Sequence, residues 1–171
     1  MPPDGVIGPP PIPGPGAAWP DQVSKHFSLR ELTRTSHRTF LDLNARPPIA
    51  LLPAARGLCD LLLEPLRLAA AAPIVIHSGY RSPALNRAVG GSWHSQHVKF
   101  EAADLHAVGV PLEDLFRIVR TSTWQYGQVI LEGWAAGAPS WLHVSLGPPW
   151  REAARSGEAL TFDGRRYVRV S

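Results

Sequence analysis

The chain has 171 residues, 44% of them hydrophobic, which excludes a wholly disordered protein and fits one soluble domain. Its single cysteine, Cys59, excludes an intrachain disulfide and a cysteine-based zinc finger, so a bound metal would need histidine and carboxylate ligands. The formal charge of +3 comes from scattered basic residues, of which Arg165–Arg166 is the densest pair, so we expect no nucleic-acid partner.

The first segment, residues 1–21, differs from the rest in composition. Eight of the chain's 18 prolines fall within residues 1–20. Each proline fixes φ and removes a backbone donor, so this segment is predicted to be a flexible or polyproline-like arm. Such an arm is a candidate docking segment for a protein partner.

The remaining residues, 22–171, are predicted to form a single domain that begins with helices. Capping signals and apolar spacings of three and four predict helices over about 28–35, 48–70, 83–89 and 111–119. Ser28 and Glu31 form a capping box in the first helix, and Cys59 lies on the buried face of the second. Charged residues interrupt the long helix, so we expect no segment to span a membrane.

Strands are predicted mainly in the second half of the chain. Short runs of apolar and β-branched residues predict strands over about 73–76, 102–105, 128–131 and 141–146. A hairpin over about 159–170 is predicted to turn at Asp163–Gly164. Early helices followed by mostly antiparallel strands indicate an α+β domain with a small sheet.

One group among the seven histidines stands at a spacing that suits a metal. Asp104 follows His97 by seven residues, and His143 lies on a later predicted strand. Two imidazoles and one carboxylate suit zinc and leave a fourth position open, as in catalytic sites. Spacing alone leaves a chance juxtaposition open, because histidines and acids are frequent in this chain. His94 and His106 remain unassigned.

Several short segments in the chain resemble segments of one enzyme family. They are SKHFSLREL from Ser24, SGYRSP from Ser78, SQH from Ser95, EAAD from Glu101, Leu131–Glu132 and WLHVS from Trp141. Together they resemble the zinc D-alanyl-D-alanine carboxypeptidase and peptidoglycan endopeptidase family, in its phage and bacterial cell-wall branch. That branch shares a zinc-site architecture with the hedgehog signalling domain, and the resemblance covers residues 24–147.

The resemblance implies a hedgehog-like zinc fold in which His97, Asp104 and His143 hold the metal. It also implies that the planar guanidinium of Arg81 clamps a carboxylate of the substrate. Glu132 corresponds to the glutamate that serves as general base before the hairpin loop. The alternative for Glu132 is a solvated residue at the end of a strand.

Three further positions are interpreted through the same resemblance. Ser95 and Gln96 would hydrogen-bond either the substrate or the imidazole that follows them. Phe100 departs from the family pattern, which has glycine at that position. A bulky aromatic residue at positive φ costs about 1–2 kcal/mol, so we expect a re-formed turn, a narrowed cleft or impaired activity.

The implied function is zinc-dependent hydrolysis of D-alanine-containing peptide bonds in peptidoglycan stem peptides, as a carboxypeptidase or as an endolysin-like endopeptidase. The alternative is a catalytically impaired cell-wall-binding or structural module of a phage-like particle. The chain starts without the basic and apolar segments of a secretory signal. We therefore expect synthesis in the cytoplasm and access to the wall after lysis, by phage-type delivery or by non-classical export.

Overall fold

The computed structural model describes Gly14 and residues 17–133, 138–146, 157–162 and 166–170. Within these ranges the chain has the predicted mixed α+β architecture, with helices packed against a six-stranded sheet. None of the helices described there is both long enough and apolar enough to cross a membrane.

The sheet is mostly antiparallel, as predicted. Its strands are β1 (Ile74–Ser78), β2 (Ala102–Ala107), β3 (Gln128–Glu132), β4 (Trp141–Ser145), β5 (Glu158–Phe162) and β6 (Tyr167–Arg169). They lie in the order β1-β2-β4-β3-β5-β6, and β3 and β5 are the parallel pair. The predicted C-terminal hairpin is confirmed by the antiparallel β5–β6 pair, whereas its predicted turn at Asp163–Gly164 lies outside the described residues.

The two faces of the sheet have different roles. Leu105, Leu142 and Val144 alternate onto one face, where they are buried in a core shared with the helices. Asp104 and His143 lie on the opposite face, directly across from each other in the β2–β4 register. The alternation along two strands therefore separates the hydrophobic core from a polar site.

Six α-helices are described. They are α1 (Leu29–Leu32), α2 (Leu41–Asn44), α3 (Leu52–Leu58), α4 (Glu64–Ala70), α5 (Pro83–Ala88) and α6 (Leu112–Thr121). The capping box at the start of α1 is confirmed, since Ser28 Oγ accepts from Glu31 N and Glu31 Oε2 accepts from Ser28 N. Helix α2, with the 3₁₀ turn Arg38–Phe40 before it, was not predicted.

The long helix predicted over 48–70 is helical throughout but not uniform. A 3₁₀ turn (Ile49–Leu51) leads into α3, and a π-helical segment (Cys59–Leu63) joins α3 to α4. Pro65 has no N–H to donate, and its ring crowds the carbonyl four residues earlier. This explains why the helical hydrogen bonds change to the π-helical pattern just before Pro65. Cys59 is fully buried there, as predicted for a core residue.

The packed part of the chain includes Trp19, which lies within the predicted arm. Its indole stacks on Phe100 with ring centroids 5.5 Å apart, and its Nε1 donates to the carbonyl of Pro47 at 2.9 Å. The end of the predicted arm is therefore anchored to the domain by an aromatic contact and a hydrogen bond.

Candidate metal centre

Three of the predicted site residues converge on one buried point. His143 Nδ1 lies 2.9 Å from Asp104 Oδ1, and His97 Nε2 lies 3.3 Å from the same oxygen. One ligand atom from each residue lies within 4.8 Å of the others, and all three side chains are buried. Strand register places Asp104 opposite His143, and the turn before β2 brings in His97.

The separations within this group fit a divalent metal. A tetrahedral zinc ion with bonds of about 2.0–2.1 Å holds its ligand atoms roughly 3.3 Å apart. The carbonyl of Gly79 lies 2.7 Å from His97 Nδ1, so Nδ1 carries the hydrogen. In a neutral His97, Nε2 then has no hydrogen and faces Asp104 Oδ1, which is also an acceptor. A cation bound between these two atoms would satisfy both.

The charge of Asp104 is maintained in spite of its burial. Burial alone would raise its pKa, but His97 and His143 outweigh that effect and hold the pKa well below its ordinary value. Arg81 Nη2 adds a hydrogen bond of 2.5 Å to Asp104 Oδ2, whereas both histidines contact Oδ1. The carboxylate is thus ionised and oriented before any ligand binds.

Backbone packing fixes the orientation of His97. Gly79, whose carbonyl accepts the bond from His97, packs so closely on the carbonyl of Leu32 that a Cβ would collide with it. The next residue, Tyr80, donates its N–H to the same Leu32 oxygen at 2.7 Å. Helix α1 therefore supports the segment that holds the first histidine.

Glu132, the predicted general base, borders the same cleft as the three candidate ligands. The cleft has a volume of about 1210 Å³ and is also bordered by Arg81, Ser95 and Gln96. On β3 and β4, Glu132 pairs with Trp141 and is a diagonal neighbour of His143 on the same face. The structure thus brings the predicted residues to one cavity, while their individual roles stay predictions.

Both oxygens of Glu132 accept hydrogen bonds. Trp141 Nε1 donates to Oε2 at 3.2 Å, and the hydroxyl of Tyr167 donates to Oε1 at 2.9 Å. The carboxylate is half-buried and anchored from two sides, so it is more constrained than the solvated strand-end residue considered as its alternative.

Most of the chain matches one known protein family. The sequence model of a family described as Peptidase M15 matches residues 25–144. The chain belongs to the peptidase M15 family. The matched part of this M15 peptidase contains the three candidate ligands together with Arg81 and Glu132, whereas the β5–β6 hairpin lies beyond it. A search of curated proteins found no match.

Family membership and geometry agree on a metal centre. M15 peptidases depend on a metal, and the buried group of His97, Asp104 and His143 could hold one in this chain. Phe100 does not disturb this arrangement. Its backbone keeps a positive φ of 60°, and its fully buried ring stacks on Trp19 and Tyr80. The side chain therefore points into the core and does not narrow the cleft.

Ser95 and Gln96 lie in the turn that carries His97. Gln96 Nε2 donates to the carbonyl of Leu146 at 3.3 Å, and its backbone carbonyl accepts from the N–H of Glu101 at 2.9 Å. The carbonyl of Ser95 accepts from the N–H of Val98 at 3.1 Å. The bonds of Gln96 tie the turn of the M15 peptidase to the ends of β2 and β4, and the Ser95 bond closes the turn, so together they support His97, the first candidate ligand.

Sequence reasoning missed Asn44, a fully buried amide on helix α2. Its Nδ2 donates to the carbonyls of Thr33 and Tyr80, at 2.6 and 3.0 Å, and its Oδ1 accepts from the N–H of Ser82 at 2.8 Å. The two bonds on either side of Arg81 fix the backbone that presents this guanidinium to the metal centre. Its only signal in the sequence was an asparagine between two apolar residues, Leu43 and Ala45, which is a common pattern.

If the centre holds a divalent metal, Arg81→Lys in the M15 peptidase is expected to weaken metal binding about tenfold, at the low end of the effect of residues that hold a metal ligand. Lysine keeps the charge but replaces the two rigidly spaced nitrogens that bond Ser78 Oγ and Asp104 Oδ2 with a single nitrogen on a flexible chain. Competition with a chromophoric chelator measures the affinity. Arg87→Lys, on the exposed side of α5, is the matched control and should be unchanged. Equal metal affinities for the two variants would contradict the expectation, and substrate binding would then be the remaining role for Arg81.

Proposed function

We propose that this M15 peptidase is a zinc metallopeptidase that hydrolyses D-alanine-containing peptide bonds in peptidoglycan stem peptides. The observation that carries the proposal is the placement of the buried group His97, Asp104 and His143 in one open cleft with the anchored carboxylate of Glu132. An acid–base group beside a three-ligand centre in one cavity is the arrangement that metal-dependent hydrolysis of a peptide bond uses.

Zinc is the metal proposed for the centre. The donor set of two imidazoles and one carboxylate suits zinc, and three protein ligands leave a position open for chemistry. When bound, zinc would supply a Lewis acid that polarises the scissile carbonyl and favours ionisation of the attacking water.

Glu132 is proposed to carry the proton. Its carboxylate removes a proton from the water whose oxygen attacks the scissile carbonyl carbon. The carbon–nitrogen bond then breaks, and the same proton goes to the departing amine. The products are one new carboxylic acid and one new amine, and at neutral pH the acid's proton passes to the amine, which leaves a carboxylate and an ammonium group. A single acid–base residue therefore serves both steps.

The proposed substrate follows from the family and from the polarity of the cleft. Arg81 lies at the cleft with its side chain about one-fifth exposed, close enough to the metal centre to attract a carboxylate of a stem peptide. The net positive charge of the chain suits an anionic cell wall. Both features favour a short acidic peptide as the ligand of this cleft.

Metal analysis combined with digestion of defined muropeptides tests the proposal. We expect about one zinc per chain, loss of cleavage on chelation and recovery on adding zinc. Mass spectrometry then distinguishes the two activities, since a carboxypeptidase releases terminal D-alanine and an endopeptidase converts cross-linked dimers to monomers. Zinc-loaded protein that binds cell walls but releases no product would contradict the proposal and favour a wall-binding module.

A further inference from the structure

The β5–β6 hairpin borders the cleft although it lies outside the part of the chain that matches the family. Strand β5 pairs in parallel with β3, the strand that ends at Glu132, and β6 pairs with β5 at the edge of the sheet. Phe162 on β5 faces Tyr167 on β6 in this register, and their rings lie 4.8 Å apart. The hairpin thereby presents Tyr167 to the cleft.

Tyr167 contributes little to the hydrophobic core. It is 55% exposed, and the residue that follows it, Val168, alternates onto the other face of the strand. Its specific contact is the 2.9 Å hydrogen bond from its hydroxyl to Glu132 Oε1. The ring of Tyr167 contacts Phe162, and the hydrogen bond to Glu132 accounts for the position of its hydroxyl.

We propose that Tyr167 is a positioning residue for Glu132, so that the C-terminal hairpin completes the active site. The inference rests on the proposed function, in which Glu132 transfers the proton. Trp141 Nε1 holds one carboxylate oxygen and Tyr167 holds the other, which prevents rotation of the carboxylate about its last side-chain bond. A base that is already held in one orientation loses little conformational entropy when it takes the proton from the attacking water.

The hydroxyl of Tyr167 is suited to permanent donation. Burial raises the pKa of Tyr167 to about 12, with further contributions from Glu132 and Asp104. The phenol therefore keeps its hydrogen across the pH range in which a peptidase works. Tyr167 therefore acts through Glu132 by donating a hydrogen bond, and it does not transfer its own proton.

Tyr167→Phe in the full-length zinc-loaded protein tests the inference. We expect kcat to fall about tenfold while KM and zinc content stay unchanged, because one hydrogen bond to a charged group is lost and the ring remains. Val168→Ala shortens a neighbouring side chain on the other face of β6 and controls for general weakening of the hairpin. Equal kcat for Tyr167→Phe and the parent protein would overturn the inference.

A double-mutant cycle separates positioning from direct contact with the substrate. If Tyr167 acts only through Glu132, adding Tyr167→Phe to Glu132→Gln causes no further loss of the residual activity. A further tenfold loss in that background would overturn the positioning role. Full activity of Glu132→Gln alone would instead defeat the proposed function of Glu132.

A readout without catalysis completes the test. In ¹³C-labelled protein, the ring resonance of Tyr167 is assigned as the one that is missing from the spectrum of Tyr167→Phe. The pH titration of this resonance is then followed by NMR in the parent protein and in Glu132→Gln. The pKa of Tyr167, raised to about 12 in the parent, should be lower in the variant because a negative neighbour is removed. An unchanged pKa would overturn the contact, even for a protein that cleaves no peptide.

Discussion

Glu132→Gln is expected to lower kcat for muropeptide cleavage about a thousandfold and to leave the zinc content unchanged. Glutamine keeps the shape of the side chain but cannot remove a proton from water. Its amide oxygen still accepts from Trp141 Nε1, and its NH₂ group can donate to the oxygen of Tyr167. The variant therefore removes the proposed acid–base group and preserves the architecture around it.

The measurement is steady-state cleavage of a defined muropeptide together with metal analysis of the same preparation. Glu113→Gln, the same change at an exposed position of α6, is the matched control and should cleave at the parental rate. Glu132→Asp is expected to retain more activity than Glu132→Gln, because a base is present but displaced by one methylene. Loss of zinc from Glu132→Gln would contradict the role assigned here and make Glu132 a ligand.

Two of the candidate ligands, Asp104 and His143, lie on strands with strong local signals, whereas His97 lies in the turn before β2. The β-branched and apolar alternation around Asp104 and His143 indicates which face of a strand each residue occupies. Their alignment across the sheet, however, depends on the β2–β4 pairing, in which β4 lies between β2 and β3. Pairing of distant segments is not encoded in local periodicity, and here the family resemblance supplied it.

Other parts of the site left little trace in the sequence. Helix α2 has four residues and no side-chain cap, so its buried Asn44 could not be distinguished from a loop asparagine. Likewise, the hydrogen bond from Tyr167 to Glu132 joins residues 35 positions apart. It depends on a parallel pairing between β3 and β5, which a hairpin signal at the C-terminus does not predict.

Phe100 shows a conflict between local and global preferences. A side chain at positive φ costs about 1–2 kcal/mol, which is why glycine is favoured in such turns. Truncating a buried phenylalanine to alanine costs about 3–5 kcal/mol, which is larger. The ring of Phe100 is fully buried between Trp19 and Tyr80, so burial outweighs the strain and the turn keeps its left-handed residue.

Phe100→Ala is accordingly expected to lower the free energy of unfolding by about 3–5 kcal/mol in urea denaturation. Phe100→Gly loses the same ring but relieves the strain, so it should be about 1 kcal/mol more stable than Phe100→Ala. Phe116, which is buried on helix α6, provides the matched control. There the order should reverse, with alanine about 1 kcal/mol more stable than glycine, because the helix favours alanine.

The same pair of variants separates stability from the geometry of the metal centre. The turn that ends at Phe100 carries His97 and leads into the strand of Asp104, so its left-handed residue sets the spacing of two candidate ligands. Glycine adopts that conformation without cost, and Phe100→Gly should therefore bind zinc with parental affinity in conditions where it is folded. The opposite result would be an equal loss of stability in both variants together with a loss of zinc from Phe100→Gly. The ring of Phe100, and not the left-handed backbone, would then hold the candidate ligands in place.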